Sequence, residues 1–441
     1  MENIRKKKWF WVAVIIFFIF SATQFIRPKI DNPKVTADIV VSNDVKGILR
    51  TACYDCHSNE TKLAWFDKIT PANLVVASHI RDGREVLNFS EWNRYTKERQ
   101  KQILFESLNQ VEFGIMPLKQ YTMFHPSAKI GATQIDSLKS YLNTLIVKQR
   151  PDTSKTNKWN AQHNKWIRGD IEVSNVKPAP NGISFLPDYK NWTAISSTER
   201  IDNGTMRVIV GNNVAVNAIK TSHTNPWPDG TTFAKLIWTQ VADLSGDIHA
   251  GEFKQLDFMT KNKDKYRTTD GWGYSRWVMG TQLTPYGGNK LFTTGCVNCH
   301  QSMKKEDYVF TTPAKITADT GFEDKVLGSL INKKDGIMST LYGNDIAIRF
   351  VRTHTGSDYP AGTILTFVTW KQQNDKHWFG GIIPSLIKTI EKIKFSYTGK
   401  NKIEPVYEKY DGNSLTKTET DKLNGWSRVN FITSIRGSVM P

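Results

Sequence analysis

The sequence predicts a multidomain protein with an α-helical N-terminal domain followed by two mainly antiparallel β domains. A chain of 441 residues is long for a single hydrophobic core. Residues 48–147 show the apolar spacing of helices. Beyond residue 170, β-branched and aromatic segments alternate with Gly, Asn and Asp turns, which is typical of antiparallel sheet. The polar stretch between these regions is predicted to be a linker.

These observations divide the chain into five predicted segments: an N-terminal signal-anchor (1–30), a helical domain (31–147), a linker (148–170), a β domain (171–312) and a second β domain (313–441). In the helical domain, Thr70-Pro71 and Thr133 mark predicted helix starts. In the first β domain, the predicted strands are "TMRVIVGNN", "TTFAKLIWTQ", "EFKQLDFMT" and "YSRWVMG".

The N-terminus combines three lysines with an unbroken apolar run over residues 9–20, which weaker apolar residues extend to 26. Twelve apolar residues suit the core of a cleaved signal peptide, whereas 18 would just span a bilayer. We favour an uncleaved anchor with its basic end in the cytoplasm. Both alternatives export the rest of the chain, so the sequence predicts a periplasmic protein anchored to the inner membrane.

A repeat relates residues 206–240 to residues 338–372 at a constant offset of 132 positions. Ten of the 35 aligned positions are identical, including Asn212 and Asn344. The final β domain is therefore predicted to be a duplicate of the first. It contains no cysteine, so it cannot attach haem through thioether bonds.

All four cysteines lie in two C-x-x-C-H motifs, which contain Cys53, Cys56 and His57, and Cys296, Cys299 and His300. This pattern is typical of covalent c-type haem attachment, with the histidine as an iron ligand. A redox cysteine pair, a zinc site or a disulfide would not require a histidine directly after both pairs. We therefore expect two covalently bound haem c groups.

The first motif lies in a helical domain of about the size of a small cytochrome c. Met116, followed by Pro117 in a predicted loop, resembles the usual methionine ligand of cytochromes c and is the predicted sixth iron ligand. A thioether ligand also raises the reduction potential. A lone methionine is more often a core residue, and His79 and His125 are alternative ligands. The second motif has no comparable Met-Pro pair, so its sixth position is expected to be open to a small ligand.

Two charged residues interrupt apolar strands of the first β domain. Lys235 shares a strand face with Phe233 and Ile237, so it is either an edge residue that points to solvent or a buried lysine that loses its proton easily. Asp257, between Leu256 and Phe258, is either a base near the second haem or a strand-end carboxylate paired with a lysine.

The stretches "CYDCHSNET", "HIRDGREVLNFSEW" and "GIMPLKQYTMFHPSAKI" resemble a family of small haem-binding domains of exported bacterial proteins. The stretches "DNGTMRVIVGN", "PDGTTFAKLIW", "LDFMTKNKDKYRTTDGWGYSRW" and "CVNCH" are similar to the cytochrome P-460 family. That resemblance implies a mainly antiparallel β fold and a c-type haem cross-linked to a lysine, here Lys235. Arg207 matches a pocket arginine of the family, and Asp257 stands where the family has a catalytic glutamate.

Members of this family oxidise hydroxylamine, and relatives without the cross-link bind nitric oxide. The resemblance therefore implies that the second haem oxidises hydroxylamine or a related small nitrogen compound, with Asp257 and Arg207 as catalytic residues. The first haem would relay electrons. Nitric oxide binding or sensing, and electron transfer through both haems, are the alternatives.

The net charge of +17 is typical of a lysine-rich solvated surface, or of a surface that docks an acidic redox partner or an anionic membrane. Nucleic-acid binding is not expected, because the chain is predicted to be exported and carries no recognisable motif for it.

Overall fold

The computed structural model describes residues 2–147, 149–171, 173, 175–288, 292–314, 324–399, 402–412, 414–419 and 422–441. Its contacts divide the chain into two compact units, Met1–Ile146 and Val147–Pro441. The first unit is helical, and the second is dominated by one antiparallel sheet. This confirms the predicted fold class.

The α-helices of the N-terminal unit are α1 (Glu2–Thr23), α2 (Asn43–Ala52), α3 (Tyr54–His57), α4 (Ala72–Val86), α5 (Lys97–Glu112), α6 (Lys119–Phe124) and α7 (Ala132–Thr144). Helix α5 begins where the hydroxyl of Thr96 accepts a hydrogen bond from the Arg99 N–H at 3.3 Å, as expected of an N-cap. Apolar residues at helical spacing form the buried faces of α2 and α5: Val45, Ile48, Leu49, Ala52, Ile103, Leu104, Phe105 and Leu108.

The two predicted helix starts have different outcomes. Helix α4 begins at Ala72 with Pro71 at the N-cap, so the predicted start lies within one residue, but Thr70 is not its cap. Helix α7 begins at Ala132 and is capped at Gly131 rather than at Thr133. The reason is that the Gln134 side chain accepts a hydrogen bond from the Gly131 N–H at 2.9 Å, which fixes the first turn earlier.

Helix α1 covers the N-terminal apolar run. Within the described residues, no helix is both long and apolar enough to cross a membrane. The inner-membrane anchor stays a prediction from the sequence.

The C-terminal unit opens with helix α8 (Thr153–Ile167). The elements that follow are β1 (Thr193–Arg200), β2 (Thr205–Gly211), α9 (Asn213–Lys220), β3 (Thr232–Ala242), β4 (Ile248–Lys261), β5 (Trp272–Met279), β6 (Leu283–Pro285), α10 (Phe292–His300), β7 (Lys325–Asn332), β8 (Ile337–Gly343), α11 (Asp345–Thr353), β9 (Ile364–Asn374), β10 (Gly381–Thr398), β11 (Lys402–Asp411), β12 (Lys417–Thr418) and α12 (Lys422–Ser434). The four strand segments predicted from the sequence are β2, β3, β4 and β5.

The segment predicted as a linker (148–170) instead contains helix α8, which packs against β4. The Gln162 side chain donates to the Phe253 carbonyl at 3.0 Å and accepts from the Phe253 N–H at 2.6 Å. Gln162 thereby binds both backbone groups of Phe253, which is opposite Trp238 at a register shift between β3 and β4. The polar composition of the segment thus reflects a helix that hydrogen-bonds to a sheet.

The sheet closes on itself. Its strands follow the order β1–β2–β3–β4–β7–β8–β9–β10, and β10 also pairs with β1. Strands β5 and β6 extend from β4, and β11 and β12 extend from β10. The two predicted β domains are therefore two halves of one closed sheet rather than separate bodies.

The repeated sequence has a repeated structure. Strands β1, β2 and β3 recur as β7, β8 and β9, each displaced by 132 positions, and α9 recurs as α11. The junctions between the halves, β4 with β7 and β10 with β1, join equivalent strands, although their registers differ by two residues under this displacement. The glycine shared by the two halves at Gly211 and Gly343 has a steric reason. An added Cβ would lie 2.9 Å from the Ala215 Cβ in the first half and 2.6 Å from the Ala347 Cβ in the second.

Both halves contribute to the core on the inner face of this sheet. The chain's last residues also enter it: the Trp238 indole N–H donates to the Val439 carbonyl at 2.9 Å, and Val439 is fully buried. The inner-face residues come in equivalent sets from the two halves: Met206, Val208, Val210, Leu236 and Trp238, with Met338, Tyr342, Val368 and Trp370.

We expect Asn212→Ala and Asn344→Ala to destabilise the C-terminal unit to a similar extent. Each side chain caps a helix, through Ala215 N–H at 3.0 Å or Ala347 N–H at 3.1 Å, and donates at 2.8 Å to the carbonyl of a glycine. Loss of such a cap costs about 1–2 kcal/mol. Urea denaturation measures the change, with the exposed Asn217→Ala as control. A large loss for one variant and none for the other would contradict equivalent roles.

Candidate haem sites

The first C-x-x-C-H motif lies at helix α3, with Cys53 directly before it and Cys56 and His57 within it. The Nδ1 of His57 lies 3.0 Å from the Gly83 carbonyl and 3.2 Å from the Leu87 carbonyl, both at the end of α4. Because carbonyl oxygens only accept, Nδ1 carries the proton and Nε2 is left as a metal ligand. Gly83 is required here, because a Cβ would lie 2.7 Å from the Cys56 carbonyl oxygen.

The three predicted sixth ligands of this site differ in their surroundings. His125 Nδ1 lies 3.1 Å from the Tyr121 carbonyl. Its buried Nε2 lies 3.3 Å from the Asp67 carboxylate but has no hydrogen-bond partner among the described residues. His79, on α4, and Met116 are both partly exposed. Met116 stays a prediction, with His79 and His125 as its alternatives.

The second motif ends helix α10, which contains Cys296, Cys299 and His300. The His300 Nδ1 lies 2.7 Å from the Tyr308 carbonyl, so this histidine too presents Nε2 as a ligand. Its ring contacts Tyr274 at 4.9 Å and Phe310 at 5.1 Å between centroids. Burial lowers the pKa of His300 to about 4, and the imidazole is therefore neutral at neutral pH, as metal binding requires.

A buried ion pair holds the carbonyl that His300 contacts. Asp307 and Tyr308 both have left-handed backbone conformations, with φ of 47° and 69°, which side chains other than glycine seldom adopt. The Asp307 carboxylate accepts from Lys261 Nζ at 2.7 and 3.0 Å and from the Trp227 N–H at 2.8 Å. These contacts fix the turn and aim the Tyr308 carbonyl at His300.

Three adjacent strands place Lys235, Asp257 and Arg276 in one row. Lys235 on β3 is opposite Asp257 on β4, which is opposite Arg276 on β5. Lys235 Nζ lies 2.8 Å from Asp257 Oδ2, and Arg276 contacts the same carboxylate through Nε at 2.8 Å and Nη2 at 3.3 Å. The row lies on the outer face of the sheet, which also packs against Cys296 and Val297 of α10.

The charges of this row determine its protonation. Burial by itself would raise the pKa of Asp257, but Lys235 and Arg276 outweigh burial and lower it to about 2. Burial lowers the pKa of Lys235, although Asp257 opposes that shift. Asp257 is consequently a carboxylate at neutral pH, and Lys235 releases its proton more readily than a surface lysine does.

Arg207 shares the outer face with Lys235, since β2 pairs Arg207 with Ile237 and Ile209 with Lys235. Burial lowers the pKa of Arg207 to about 9, and among the described residues its buried Nε has no hydrogen-bond partner. Arg276, which the sequence analysis did not single out, makes the direct contact with Asp257. Strand alternation in "YSRW" could have indicated it, because Arg276 shares a face with Tyr274.

Both sites fit a covalently attached haem. Each combines two cysteines that form no disulfide with a histidine whose Nε2 is available because a backbone carbonyl holds Nδ1. The second site adds a buried cationic group, Arg207, whose Nε can still donate a hydrogen bond. The four cysteines would form the thioether bonds, and His57 and His300 would bind iron.

The second half contains the counterpart of the second site without its haem-attaching residues. Helix α12 corresponds to α10, and Arg428, Phe431 and Ile432 stand 132 positions after Cys296, Cys299 and His300. Val297 and Asn298 recur as Val429 and Asn430. The repeat therefore extends through the motif, although no cysteine or histidine remains to show it.

An ion pair and apolar side chains fill this counterpart. Phe367 replaces Lys235 and is opposite Glu391 on β10, as Lys235 is opposite Asp257. Glu391 accepts two hydrogen bonds from Arg428, both at 2.7 Å, and one from the Tyr407 hydroxyl at 2.6 Å. The guanidinium also lies 4.8 Å from the centroid of the Phe431 ring. The prediction that the duplicate kept the sheet and lost the chemistry agrees with this arrangement.

Comparison with protein families bears on both sites. A family described as haem-binding domain matches residues 13–144, and one described as cytochrome P460 matches residues 186–311. The chain is therefore a haem-binding cytochrome in which a haem-binding domain precedes the P460 domain, in the order expected from the sequence. A search of curated proteins found no match.

We expect Lys261→Met to destabilise the P460 domain by about 3–5 kcal/mol, because it leaves the Asp307 carboxylate buried without a partner charge. The double variant Lys261→Met/Asp307→Asn removes that charge and should recover part of the loss. Urea denaturation followed by tryptophan fluorescence measures both. A single variant as stable as the original protein would show that the ion pair does not hold the turn.

Proposed function

We propose that this cytochrome oxidises hydroxylamine, or a related small nitrogen compound, at a haem c held by Cys296, Cys299 and His300. The observation that carries the proposal is the row of Lys235, Asp257 and Arg276 on the sheet face that packs against the motif helix. It combines a proton acceptor with two cationic groups beside the haem-attaching residues.

Haem bound there would supply the iron that takes up the substrate and accepts its electrons. The chain's own residues would handle protons and orientation. Asp257 is ionised and can accept a proton at either carboxylate oxygen. Arg276 fixes the plane of that carboxylate through two hydrogen bonds, and Arg207 offers a buried N–H on the same face to an anionic group. Water is limited by burial, since the Asp257 side chain is only 13% exposed.

Electrons would leave through the first haem, attached to Cys53 and Cys56 with His57 as one axial ligand and Met116 proposed as the other. A methionine ligand favours a high reduction potential, which suits an acceptor for the second haem. The positive net charge of the chain favours an acidic redox partner. The proposed location is the periplasm, because c-type haem is attached on the exported side of the membrane.

Nitric oxide binding without turnover is the second candidate function. It is favoured by the ion pairs of Asp257, because a carboxylate with a pKa of about 2 is a weak base. A cross-link to Lys235 would remove one of the two cations that lower this pKa. The base strength of Asp257, and with it the choice between the two functions, therefore depends on whether Lys235 is free.

Hydroxylamine-dependent reduction of an added electron acceptor, measured on the fully haemylated protein, tests the proposal. We expect activity in the original protein and a loss of at least tenfold in Asp257→Asn, with both haems still attached. Arg276→Gln removes a cation beside Asp257 and should raise the pKa of Asp257, which moves the acid limb of the pH profile to higher pH. Nitric oxide binding without any hydroxylamine oxidation would establish the second function instead.

We expect a peptide from the second haem to contain three protein attachments, at Cys296, Cys299 and Lys235. A covalent bond would remove the ammonium charge that burial disfavours on the face shared with Phe233 and Ile237. Mass spectrometry of proteolytic haem peptides measures the attachments. Lys235→Leu should keep both thioether bonds and lose the third, whereas the exposed Lys254→Leu on β4 should keep all three. Two attachments in the original protein would refute the cross-link.

A further inference from the structure

The turn between β9 and β10 brings the haemless second half to the second haem site. This turn, defined here as residues 375–380, is folded by its own hydrogen bonds: the Asp375 carboxylate accepts from the His377 N–H at 2.9 Å, and the Gly381 N–H donates to the Trp378 carbonyl at 3.0 Å. The pairing of β10 with β1 carries the turn onto the first half, where the Ile201 N–H donates to the Gly380 carbonyl at 2.9 Å.

A cation–π contact attaches the turn more firmly to the first half. The Arg200 guanidinium lies 4.1 Å from the centroid of the Trp378 ring. Arg200 is itself paired with Asp202, and both side chains are almost completely buried. Asp202 of the first half and Trp378 of the second half thus both orient the Arg200 guanidinium. The turn is consequently a fixed part of the first half's surface rather than a free loop.

His377 connects the turn to the segment that holds the haem histidine. Its Nδ1 lies 2.7 Å from the Phe310 carbonyl, so Nδ1 carries the proton and donates. The Phe310 ring in turn contacts His300 edge-on, with centroids 5.1 Å apart and an interplanar angle of 81°. It also contacts the Trp378 ring at 6.1 Å. Phe310 is therefore held by two residues of the second half while it packs against His300.

The segment from Asp307 to Phe310 is in this way fixed at both ends. At one end, the ion pair of Lys261 and Asp307 lies within the first half. At the other end, the hydrogen bond from His377 comes from the second half. Tyr308, whose carbonyl accepts from His300 Nδ1 at 2.7 Å, lies between these two supports. A backbone fixed on both sides keeps this hydrogen bond short.

We propose that His377 is a positioning residue for His300, through which the haemless half controls the second haem. It acts through the Phe310 carbonyl and the Tyr308 carbonyl. A strong hydrogen bond at Nδ1 increases the electron density on Nε2 and makes a histidine a more basic ligand. The duplicate half thus serves as a built-in partner that completes the site of the other half. This inference rests on haem attachment at His300, which belongs to the proposed function, but not on hydroxylamine oxidation.

Resonance Raman spectra of the reduced full-length protein test this role. His377→Ala should move the iron–histidine stretching band of the second haem to lower wavenumber and raise the reduction potential of that haem, because Nε2 becomes less basic. His377→Asn should restore both values, since the asparagine Nδ2 can donate from nearly the position of the histidine Nδ1. His354→Ala, at an exposed histidine of the same half, is the matched control and should change neither.

The first haem is an internal reference, and its potential should stay constant in every variant. His377 is partly exposed in a turn, so the alanine variant is expected to fold, and thermal unfolding checks this. An unchanged band and potential in His377→Ala, no recovery in His377→Asn, or an equal shift in His354→Ala would each overturn the proposal. Haem-peptide analysis separates these outcomes from failure of the proposed function, in which haem would not be attached beside His300 at all.

Discussion

The closure of the sheet by two equivalent strand junctions is the constraint on which the rest of the C-terminal unit depends. Strand β4 pairs with β7, and β10 pairs with β1, each over only two residue pairs. These short junctions leave no open edge in the ring of eight strands and enclose one core to which both halves contribute. Residues of both halves form this one core, so the duplicated half contributes to the fold through its inner face.

The outer face of the closed sheet differs between the two halves. In the P460 half, Lys235, Asp257 and Arg276 form a polar row beside the residues that attach haem. In the other half, the Glu391–Arg428 pair and Phe367 close the corresponding space. Both halves have a carboxylate on this face, Asp257 on β4 and Glu391 on β10. The cations that pair with Asp257 come from the neighbouring strands β3 and β5, whereas Arg428, which pairs with Glu391, comes from helix α12. Arg428, at the position of Cys296, pairs with Glu391 in the second half.

The histidines of both C-x-x-C-H motifs hydrogen-bond to backbone carbonyls through Nδ1, although one lies in the helical unit and the other in the β-rich unit. His57 donates to carbonyls at the end of a helix, whereas His300 donates to a carbonyl in a left-handed turn. The helix end is fixed by its own hydrogen bonds, but the turn requires a buried lysine and support from the second half. The second site is thereby coupled to its surroundings more closely than the first. This difference agrees with the proposal that the first haem relays electrons and the second reacts.

The sequence by itself determined the two haem motifs, the helical and β-rich regions, the strands β2 to β5 and the repeat, because each depends on local spacing or composition. It also placed Lys235 and Asp257 on strands, since alternation fixes the face of a residue. It did not determine that Lys235 and Asp257 are opposite each other, or that Arg276 completes the row, because register between strands is set by non-local pairing. The predicted linker became helix α8 for a similar reason: the backbone groups that Gln162 satisfies lie about ninety positions away along the chain. Only the tertiary structure shows that the sheet closes by pairing β10 with β1. That closure brings His377 of the second half to the site of the first half.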